Sequence, residues 1–198
     1  MIENKCNRIT PDMILFFDMD GTLVDSDYAN FLAYQQAISS VIKYDICLSY
    51  NSNCRLNRNS IKAALPSLLE TEYQEIIQEK ENIYHQFLDK NRLYIEQVNI
   101  LVEYSKSNKI ILVTNSYRVR AMGILNYFNL TKYFDEIFCQ ESIIENNQFN
   151  KFENAILKLG VSPKKIIVFE NEESEILLAI KAGIEIINPK MVIDYEKL

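Results

Sequence analysis

The stretch FFDMDGTLVDSD, residues 16–27, places two carboxylates, Asp18 and Asp20, directly after a short apolar run. A run of this kind without polar alternation predicts a strand buried on both faces, as in a parallel sheet. Ligands of open α/β sheets bind outside the carboxyl ends of the strands. A calcium-binding loop would need Gly at its sixth position and Glu at its twelfth, where this chain has Leu23 and Ala29. We therefore predict that the two carboxylates belong to a binding or catalytic site.

Further short apolar runs follow along the chain, separated by segments with helical periodicity. The runs predicted as strands are residues 13–17, 110–114, 137–139, 166–169 and 184–187. Regular alternation of strands and helices is typical of βαβ units. The sequence thus predicts an α/β fold with a doubly wound, Rossmann-like parallel sheet.

The chain between the first two predicted strands, residues 18–109, is too long for one crossover and contains no segment predicted as a strand. Residues 28–44 and 71–90 are predicted helices, the second with an apolar stripe at i, i+3 and i+4 spacing. Residues 48–60 are polar and predict a loop that offers Asn or Ser as the next helix cap.

The inserted helices set the predicted domain organisation. A chain of 198 residues fits one domain with a modest insertion. We predict a core of residues 1–25 and 93–198, with a small α-helical cap of residues 26–92 inserted between its two parts.

The composition excludes several kinds of site. A single histidine, His85, excludes centres built on several imidazoles. Four glycines without a GxGxxG or GxxxxGK[ST] string exclude a glycine-rich phosphate loop. The net charge of -6, without a block of Lys and Arg, argues against a nucleic-acid partner.

The sequence also predicts where the protein works. Its apolar runs are far shorter than the roughly 20 residues that cross a bilayer, and its N-terminus lacks an apolar signal segment, so we expect no membrane partner. The cysteines, Cys6, Cys47, Cys54 and Cys139, show no CxxC spacing and are expected to be reduced thiols. We expect a cytoplasmic protein.

With these motifs the chain resembles the haloacid dehalogenase superfamily of phosphotransferases. The resemblance is to the branch with a helical cap after the first strand, which includes phosphoglycolate phosphatases and β-phosphoglucomutases. The string DxDGT[LV], here DMDGTL at residues 18–23, is highly specific. The passages IEQVNILVEYSKSNKIILVTNS and LNYFNLTKYFDEIF follow in the expected order, so the resemblance covers nearly the whole chain.

The resemblance implies roles for both carboxylates of the first motif. Asp18 would be the nucleophile that attacks phosphorus, and Asp20 the general acid and base. Asp18 and the backbone carbonyl of Asp20 would also bind Mg²⁺, an ion usually held by a few carboxylates and a phosphate. The chemistry agrees, because a carboxylate can attack a phosphoryl group only where a metal and fixed cations cancel the repulsion between the anions.

Two further motifs imply phosphate contacts. Thr114, Asn115 and Ser116 follow a predicted strand, and their hydroxyl and N–H groups can bind phosphate oxygens, although this composition is also ordinary for a turn. Lys151 opens a predicted helix and matches the lysine that bridges nucleophile and phosphate in the family. Phe152 replaces the proline that usually follows that lysine.

The chain departs from the family pattern after the strand at residues 166–169. Glu170 retains a metal-binding carboxylate, but Asn171 stands where the family has an Asp. An Asn carbonyl can bind Mg²⁺ with one negative charge less, so we expect weaker binding of the ion. Glu172 or Glu173 would be the substitute, acting through water.

In the cap, Arg58 lies at a place similar to that of the arginine with which β-phosphoglucomutases bind a distal phosphate, and a solvated loop arginine is an equally open interpretation. Asn30 stands where those mutases have a hinge histidine, which argues against mutase chemistry. Lys80 and Tyr84 are expected to be structural or solvated, with a place facing the cleft as the open alternative.

The sequence therefore predicts a Mg²⁺-dependent phosphatase that hydrolyses a small phosphorylated metabolite through an aspartyl-phosphate intermediate. A dehalogenase is disfavoured, because that chemistry has no need of Asp20 as a proton donor. Two alternatives stay open. One is a sugar phosphomutase, and the other is a protein that binds a phospholigand or a partner and is catalytically weakened by Asn171.

Overall fold

The computed structural model describes residues 9–43, 46, 48–51, 56–140 and 149–189. The strands are β1 (Ile14–Phe17), β2 (Val24–Asp25), β3 (Arg92–Leu93), β4 (Lys109–Val113), β5 (Glu136–Phe138), β6 (Ile166–Phe169) and β7 (Ile186–Ile187). Five of them form one sheet in the order β5-β4-β1-β6-β7, and all neighbouring strands are parallel.

Helices flank this sheet and connect its strands. They are α1 (Asp27–Val41), α2 (Arg58–Ala64), α3 (Glu70–Ile83), α4 (Ile95–Tyr104), α5 (Arg118–Tyr127), α6 (Lys151–Leu159) and α7 (Glu173–Lys181). The described residues also include three 3₁₀ segments, Tyr84–Lys90, Thr131–Tyr133 and Pro163–Lys165. No helix in the described part of the chain has both the length and the apolar character needed to cross a membrane.

Strand β1 shows why the sheet needs helices on both faces. Its successive residues Phe16 and Phe17 are fully buried in different apolar clusters, because neighbouring side chains of a strand point to opposite faces. The cluster around Phe17 includes residues of α4 and α5, and the cluster around Phe16 includes residues of α6 and α7. Phe17 also pairs with Phe169 of β6, and their rings stack at 4.5 Å. The predicted α/β fold is confirmed.

The inserted helices have an apolar cluster of their own. Buried side chains of α1 and α3 form most of it, and α2 adds Ile61; the members from α1 and α3 include Tyr34, Ala37, Ile38, Tyr73, Ile76 and Ile77. Asn57 begins α2 as its N-cap, since its side chain accepts a bond from the N–H of Ser60 at 2.9 Å. The expectation of an Asn or Ser cap from the loop at residues 48–60 is confirmed, although residues 52–55 of that loop lie outside the described residues.

The predicted helix of residues 71–90 is shorter than expected. It ends at Ile83, and residues Tyr84–Lys90 continue as a 3₁₀ segment with a non-helical φ of -115° at Phe87. The side chain of Asn91 holds the end of this 3₁₀ segment. It donates to the carbonyl of Phe87 at 3.2 Å and to that of Leu88 at 2.9 Å, and it accepts from the hydroxyl of Tyr84 at 2.8 Å. These bonds satisfy carbonyls that a helix end leaves unpaired.

The expectation that residues 18–109 contain no strand is wrong, because two short strands lie in this segment. Strands β2 and β3 pair as an antiparallel ribbon, with Val24 opposite Leu93 and Asp25 opposite Arg92. Two residues per strand are too few to give a periodic signal in the sequence. The ribbon joins the two chain segments that lead from the sheet into the inserted helices and back.

Candidate active site

The carboxyl ends of the central strands carry the predicted site residues. Asp18 follows β1, Thr114 follows β4 and Glu170 follows β6, and these three strands are neighbours in the sheet. They open onto a cavity of about 420 Å³ that the inserted helices cover from the other side. Of the predicted site residues, the cavity is lined by Asp18, Asp20, Arg58, Thr114, Asn115, Ser116, Lys151 and Glu170. The fold thus brings together residues that are far apart in the sequence.

Lys151 joins two of the carboxylates. Its Nζ lies 2.9 Å from Asp18 Oδ1, 2.7 Å from Glu170 Oε2 and 3.4 Å from Glu175 Oε2. The residue is the first of α6, and the N-cap Asn150 fixes that end by accepting bonds from two backbone N–H groups. Burial alone would lower the pKa of Lys151, but the charges of Asp18 and Glu170 outweigh it and raise the pKa above the usual range for lysine. Lys151 is therefore a fixed cation.

Asp18 is buried among like charges. Burial is the largest cause that raises the pKa of its carboxyl, Glu170 and Asp20 add to the rise, and Lys151 opposes it, so that the pKa lies at about 7. A cavity of this kind is prepared to take up a cation or a proton.

The carboxylate of Asp20 accepts hydrogen bonds from Ser26, Arg120 and Ser116. Its Oδ1 accepts from Ser26 Oγ at 2.5 Å and from Arg120 Nη1 at 2.8 Å. Its Oδ2 accepts from Arg120 Nη2 at 2.9 Å and from the hydroxyl of Ser116. Ser26 and Arg120 are not predicted as site residues by the sequence, since neither belongs to a recognisable spacing pattern. Only the tertiary fold brings Arg120 to a carboxylate one hundred residues earlier.

The loop after β4 is partly buried. Thr114 and Ser116 are each 2% exposed, and the N–H of Ser116 donates to Thr114 Oγ1 at 3.2 Å. Asn115 is exposed, and its side chain donates to Glu175 Oε1 at 3.1 Å. Thr114 and Ser116 thus line the cavity from the core side.

Glu170 and Asn171 point in different directions. Glu170 Oε1 accepts from the backbone N–H of Asn171 at 2.9 Å and from that of Glu172 at 3.1 Å, which leaves Oε2 for Lys151. Asn171 Oδ1 accepts from Thr22 Oγ1 at 3.2 Å, and the residue lines a second cavity instead of the one that contains Asp18. A Cβ on Gly21 would lie 2.4 Å from Asn171 Nδ2, so only glycine leaves room for this arrangement.

The cap contributes charged side chains to the same cavity. Arg58 lies over the ring of Tyr117 at 4.3 Å. Lys80, for which a place facing the cleft was the alternative to a structural or solvated one, is 3% exposed, lines the cavity and donates to Glu81 Oε1 at 3.1 Å. Its ammonium lies over the ring of Tyr84 at 4.9 Å and over that of Tyr34 at 5.3 Å, and such cation–π contacts help to accommodate a buried lysine. Tyr84 is buried in the core cluster, as expected of a structural residue.

The donor set fits a hard divalent cation. Carboxylate oxygens of Asp18 and Glu170 converge on Lys151, and burial together with the like charges of Glu170 and Asp20 raises the pKa of Asp18. Among the described residues, no three His, Cys, Asp or Glu side chains are arranged to hold a metal by themselves. Mg²⁺ is commonly bound by one or two carboxylates, with water and substrate phosphate completing its shell. The arrangement agrees with that mode of binding.

Comparisons with known proteins agree with the fold. The family model of the haloacid dehalogenase-like hydrolases matches residues 15–188. The chain is 27% identical over 181 residues to a phosphorylated carbohydrates phosphatase of Thermotoga maritima, covering 86% of this chain and 82% of that protein. It is 20% identical to the fructose-1-phosphate phosphatase YqaB of Escherichia coli, covering 90% and 96%. A predicted phosphoglycolate phosphatase from Haemophilus somnus has the same fold, with a TM-score of 0.71, 22% identity and coverage of 90% and 85%.

Proposed function

The chain belongs to the haloacid dehalogenase-like hydrolases, and from that premise we propose that it is a Mg²⁺-dependent phosphatase of a small phosphorylated sugar. The observation that carries the proposal is the buried cluster of Asp18, Lys151 and Glu170, which lies beside Asp20 in one cavity covered by the cap. A nucleophile, a fixed cation and a second carboxylate are the parts that phosphoryl transfer to an aspartate needs.

In the first step Asp18 attacks the phosphorus of the substrate. A bond forms between a carboxylate oxygen and phosphorus, the ester P–O bond breaks, and its electron pair stays on the sugar oxygen. Lys151 neutralises charge between the attacking carboxylate and the phosphoryl group. Thr114 and Ser116 would bind phosphoryl oxygens through their hydroxyl groups. Mg²⁺, when held by Asp18, Glu170 and the Asp20 carbonyl, supplies charge that lowers the repulsion between the two anions.

Asp20 supplies the proton transfers. As a general acid it protonates the departing sugar oxygen. As a general base it then takes a proton from the water that attacks the phosphorus of the aspartyl phosphate, which releases inorganic phosphate and restores Asp18. Cap residues line the site opposite the carboxylates, and closure of the cap over the bound substrate would limit the entry of bulk water.

Two observations support a sugar phosphate as the substrate. The matched curated relatives are named for phosphorylated carbohydrates and for fructose 1-phosphate. A cavity of about 420 Å³ lies within the range that small ligands occupy, and hydrogen-bonding side chains from the cap, among them Arg58 and Asn57, line it opposite the carboxylates. These side chains are placed to bind hydroxyl groups or a second anionic group.

The test is phosphate release from a panel of sugar phosphates in the presence of Mg²⁺. We expect hydrolysis by the wild-type chain and its loss in Asp18→Asn. Asp12→Asn is the matched control, because Asp12 is exposed on the chain just before β1. No release from any member of the panel, or equal release by wild type and Asp18→Asn, would overturn the proposal. Interconversion of hexose phosphates without net release of phosphate would identify a mutase instead.

A further inference from the structure

The guanidinium of Arg120 makes two hydrogen bonds with the carboxylate of Asp20 and has no part in the steps described above. Nη1 and Nη2 of Arg120 each donate to a different oxygen of the carboxylate, at 2.8 and 2.9 Å. A two-point contact of this kind fixes the plane of a carboxylate as well as its position. Lysine, with a single rotating ammonium, cannot reproduce it.

Arg120 is itself held from the cap side. Its side chain is 9% exposed and its guanidinium lies over the ring of Tyr84 at 5.2 Å. Its Nε is 3.7 Å from Glu81 Oε2, and in the described part of the chain neither atom has a hydrogen-bond partner. Glu81 belongs to α3 of the cap and Arg120 to α5 of the core. Arg120 therefore sits between a cap carboxylate and Asp20, with its orientation determined by both.

The remaining contacts of Asp20 show which of them a substrate can replace. A carboxylate has about four acceptor positions, and Arg120, Ser26 and Ser116 already supply four donors. Ser26 also accepts from Asn30 and stays within the core side of the cavity. Ser116 belongs to the loop that would bind phosphate in the proposed function, on which this inference rests. When its hydroxyl turns to a phosphoryl oxygen, one acceptor position on Asp20 Oδ2 opens.

We infer that Arg120 is a positioning residue, which keeps the carboxyl group of Asp20 aimed at the leaving-group oxygen while Ser116 exchanges Asp20 for the substrate phosphate. Asp20 takes up a proton at the acceptor position that Ser116 vacates and gives it to the sugar oxygen as the P–O bond breaks, and in the second step it takes one from the attacking water. Arg120 touches neither reacting atom. Its Nη2 also donates to the hydroxyl oxygen of Ser116. Once that hydroxyl turns to the substrate phosphate, the effect of Arg120 reaches the reaction through the geometry of Asp20.

The leaving group separates this role from a structural one. An alkyl phosphate, such as a sugar phosphate, needs its departing oxygen protonated, whereas an aryl phosphate with an acidic phenol does not. We expect Arg120→Lys to lower kcat/KM on the sugar phosphate by about 10²-fold, the loss that follows from a small misplacement of a catalytic group. On p-nitrophenyl phosphate kcat/KM should stay unchanged. Turnover of that substrate should become biphasic, with a fast burst of phenol and slow hydrolysis of the phosphorylated enzyme.

Controls keep the outcomes distinct. Arg118→Lys, on the same helix and exposed, should leave both substrates unaffected. If Arg120→Lys does not fold, Glu81→Gln removes the cap carboxylate that orients Arg120 and should give the same pattern with a smaller loss. Equal losses on both substrates, or no loss on either, would overturn the inference while wild-type hydrolysis still upholds the proposed function. An inactive wild type would overturn both.

Discussion

Two buried lysines line the same cavity from opposite sides, and they differ in every electrostatic respect. Lys151 of the core is 4% exposed and Lys80 of the cap is 3% exposed. Lys151 has three carboxylates within 3.4 Å, from Asp18, Glu170 and Glu175. Among the described residues, Lys80 forms an ion pair with one carboxylate, that of Glu81 at 3.1 Å, and Arg120 approaches the same carboxylate. The number of anions, not the degree of burial, sets the two apart.

The difference appears in the pKa values. Burial is the largest cause that lowers the pKa of Lys80, Arg120 adds to the fall and Glu81 opposes it, so that the pKa lies at about 7. For Lys151 the same burial is outweighed by carboxylates, and the pKa lies above the usual range. Lys151 thus stabilises the charges around it, whereas the charged form of Lys80 is costly in the free protein. A buried cation short of partners at a cavity wall is placed to receive an anionic or hydroxyl-bearing part of a ligand.

The largest effect that would sharpen this comparison is expected from Lys151→Met. The change leaves Asp18 and Glu170 buried without their cation, which should lower the free energy of unfolding by about 3–5 kcal/mol. Activity should fall by about 10³-fold, since a charge that acts on the phosphoryl group is lost. Urea unfolding and phosphate release measure the two effects. Lys158→Met on the exposed side of the same helix is the control, and equal effects of both changes would contradict the role given to Lys151.

The pH dependence of stability should separate the two lysines next. Lys80 has a folded-state pKa of about 7 against an ordinary value of 10.5. Between these values the unfolded chain binds a proton that the folded chain has released, so Lys80 makes the free energy of unfolding rise with pH, by at most about 1.4 kcal/mol per unit. Lys151 has a raised pKa, so its contribution is fully present in this range and is lost only above it.

Urea unfolding of wild type and Lys80→Met at pH 7, 8 and 9 measures this contribution as the difference between the two proteins. We expect the difference to grow in favour of wild type as the pH rises. Lys106→Met, at an exposed lysine, supplies the control. A constant difference from pH 7 to 9 would mean that Lys80 keeps its proton throughout.

At pH 7 itself Lys80→Met should have a smaller effect, opposite in sign to that of Lys151→Met. Methionine keeps an unbranched apolar side chain beside the rings of Tyr34 and Tyr84, and Arg120 remains to pair with Glu81. We expect the free energy of unfolding to rise by about 1 kcal/mol, because a buried cation with weak compensation is removed. KM for the sugar phosphate should rise in parallel. A fall in stability together with an unchanged KM would show that Lys80 stabilises the fold as a paired cation and does not bind the substrate.

The same contrast explains what the sequence could predict. DMDGTL and the alternation of strands and helices predict the fold and the family, and both predictions are confirmed, as is the prediction of a phosphatase. Lys151 was predicted as a site residue because it opens a helix at an expected place in the chain order. Lys80 and Arg120 were not predicted as site residues, because a lysine or arginine on a helix gives the same sequence signal whether it faces solvent or a buried carboxylate. Burial of a charge is decided by partners distant in the sequence.

The predicted ends of helices and strands show a related limit of local sequence patterns, and the predicted state of the cysteines can be followed only at Cys139. Cys139 is buried at the end of β5, and Cys6, Cys47 and Cys54 lie outside the described residues. The first cap helix begins and ends near its predicted bounds, while the last strand is shorter, Ile186–Ile187 instead of residues 184–187. Ile184 is nevertheless buried, in the cluster on the α6 and α7 face. Apolar residues thus predict burial better than they predict where a strand begins.

The smallest effect is expected from Asn171→Asp, which adds a carboxylate next to Glu170 without adding a contact to Lys151. Asn171 accepts from Thr22 in the second cavity, so a carboxylate there acts on the ion from outside the immediate contacts of Asp18. Residues in such outer positions typically change metal affinity 10–100-fold, and we expect a gain of about 10-fold for Mg²⁺. The Mg²⁺-induced rise in unfolding temperature measures this without turnover. Ser174→Asp adds the same charge at an exposed position and is the control. If the two variants bind Mg²⁺ equally, proximity of charge alone accounts for the effect, and Asn171 is not the reason for weaker binding of the ion.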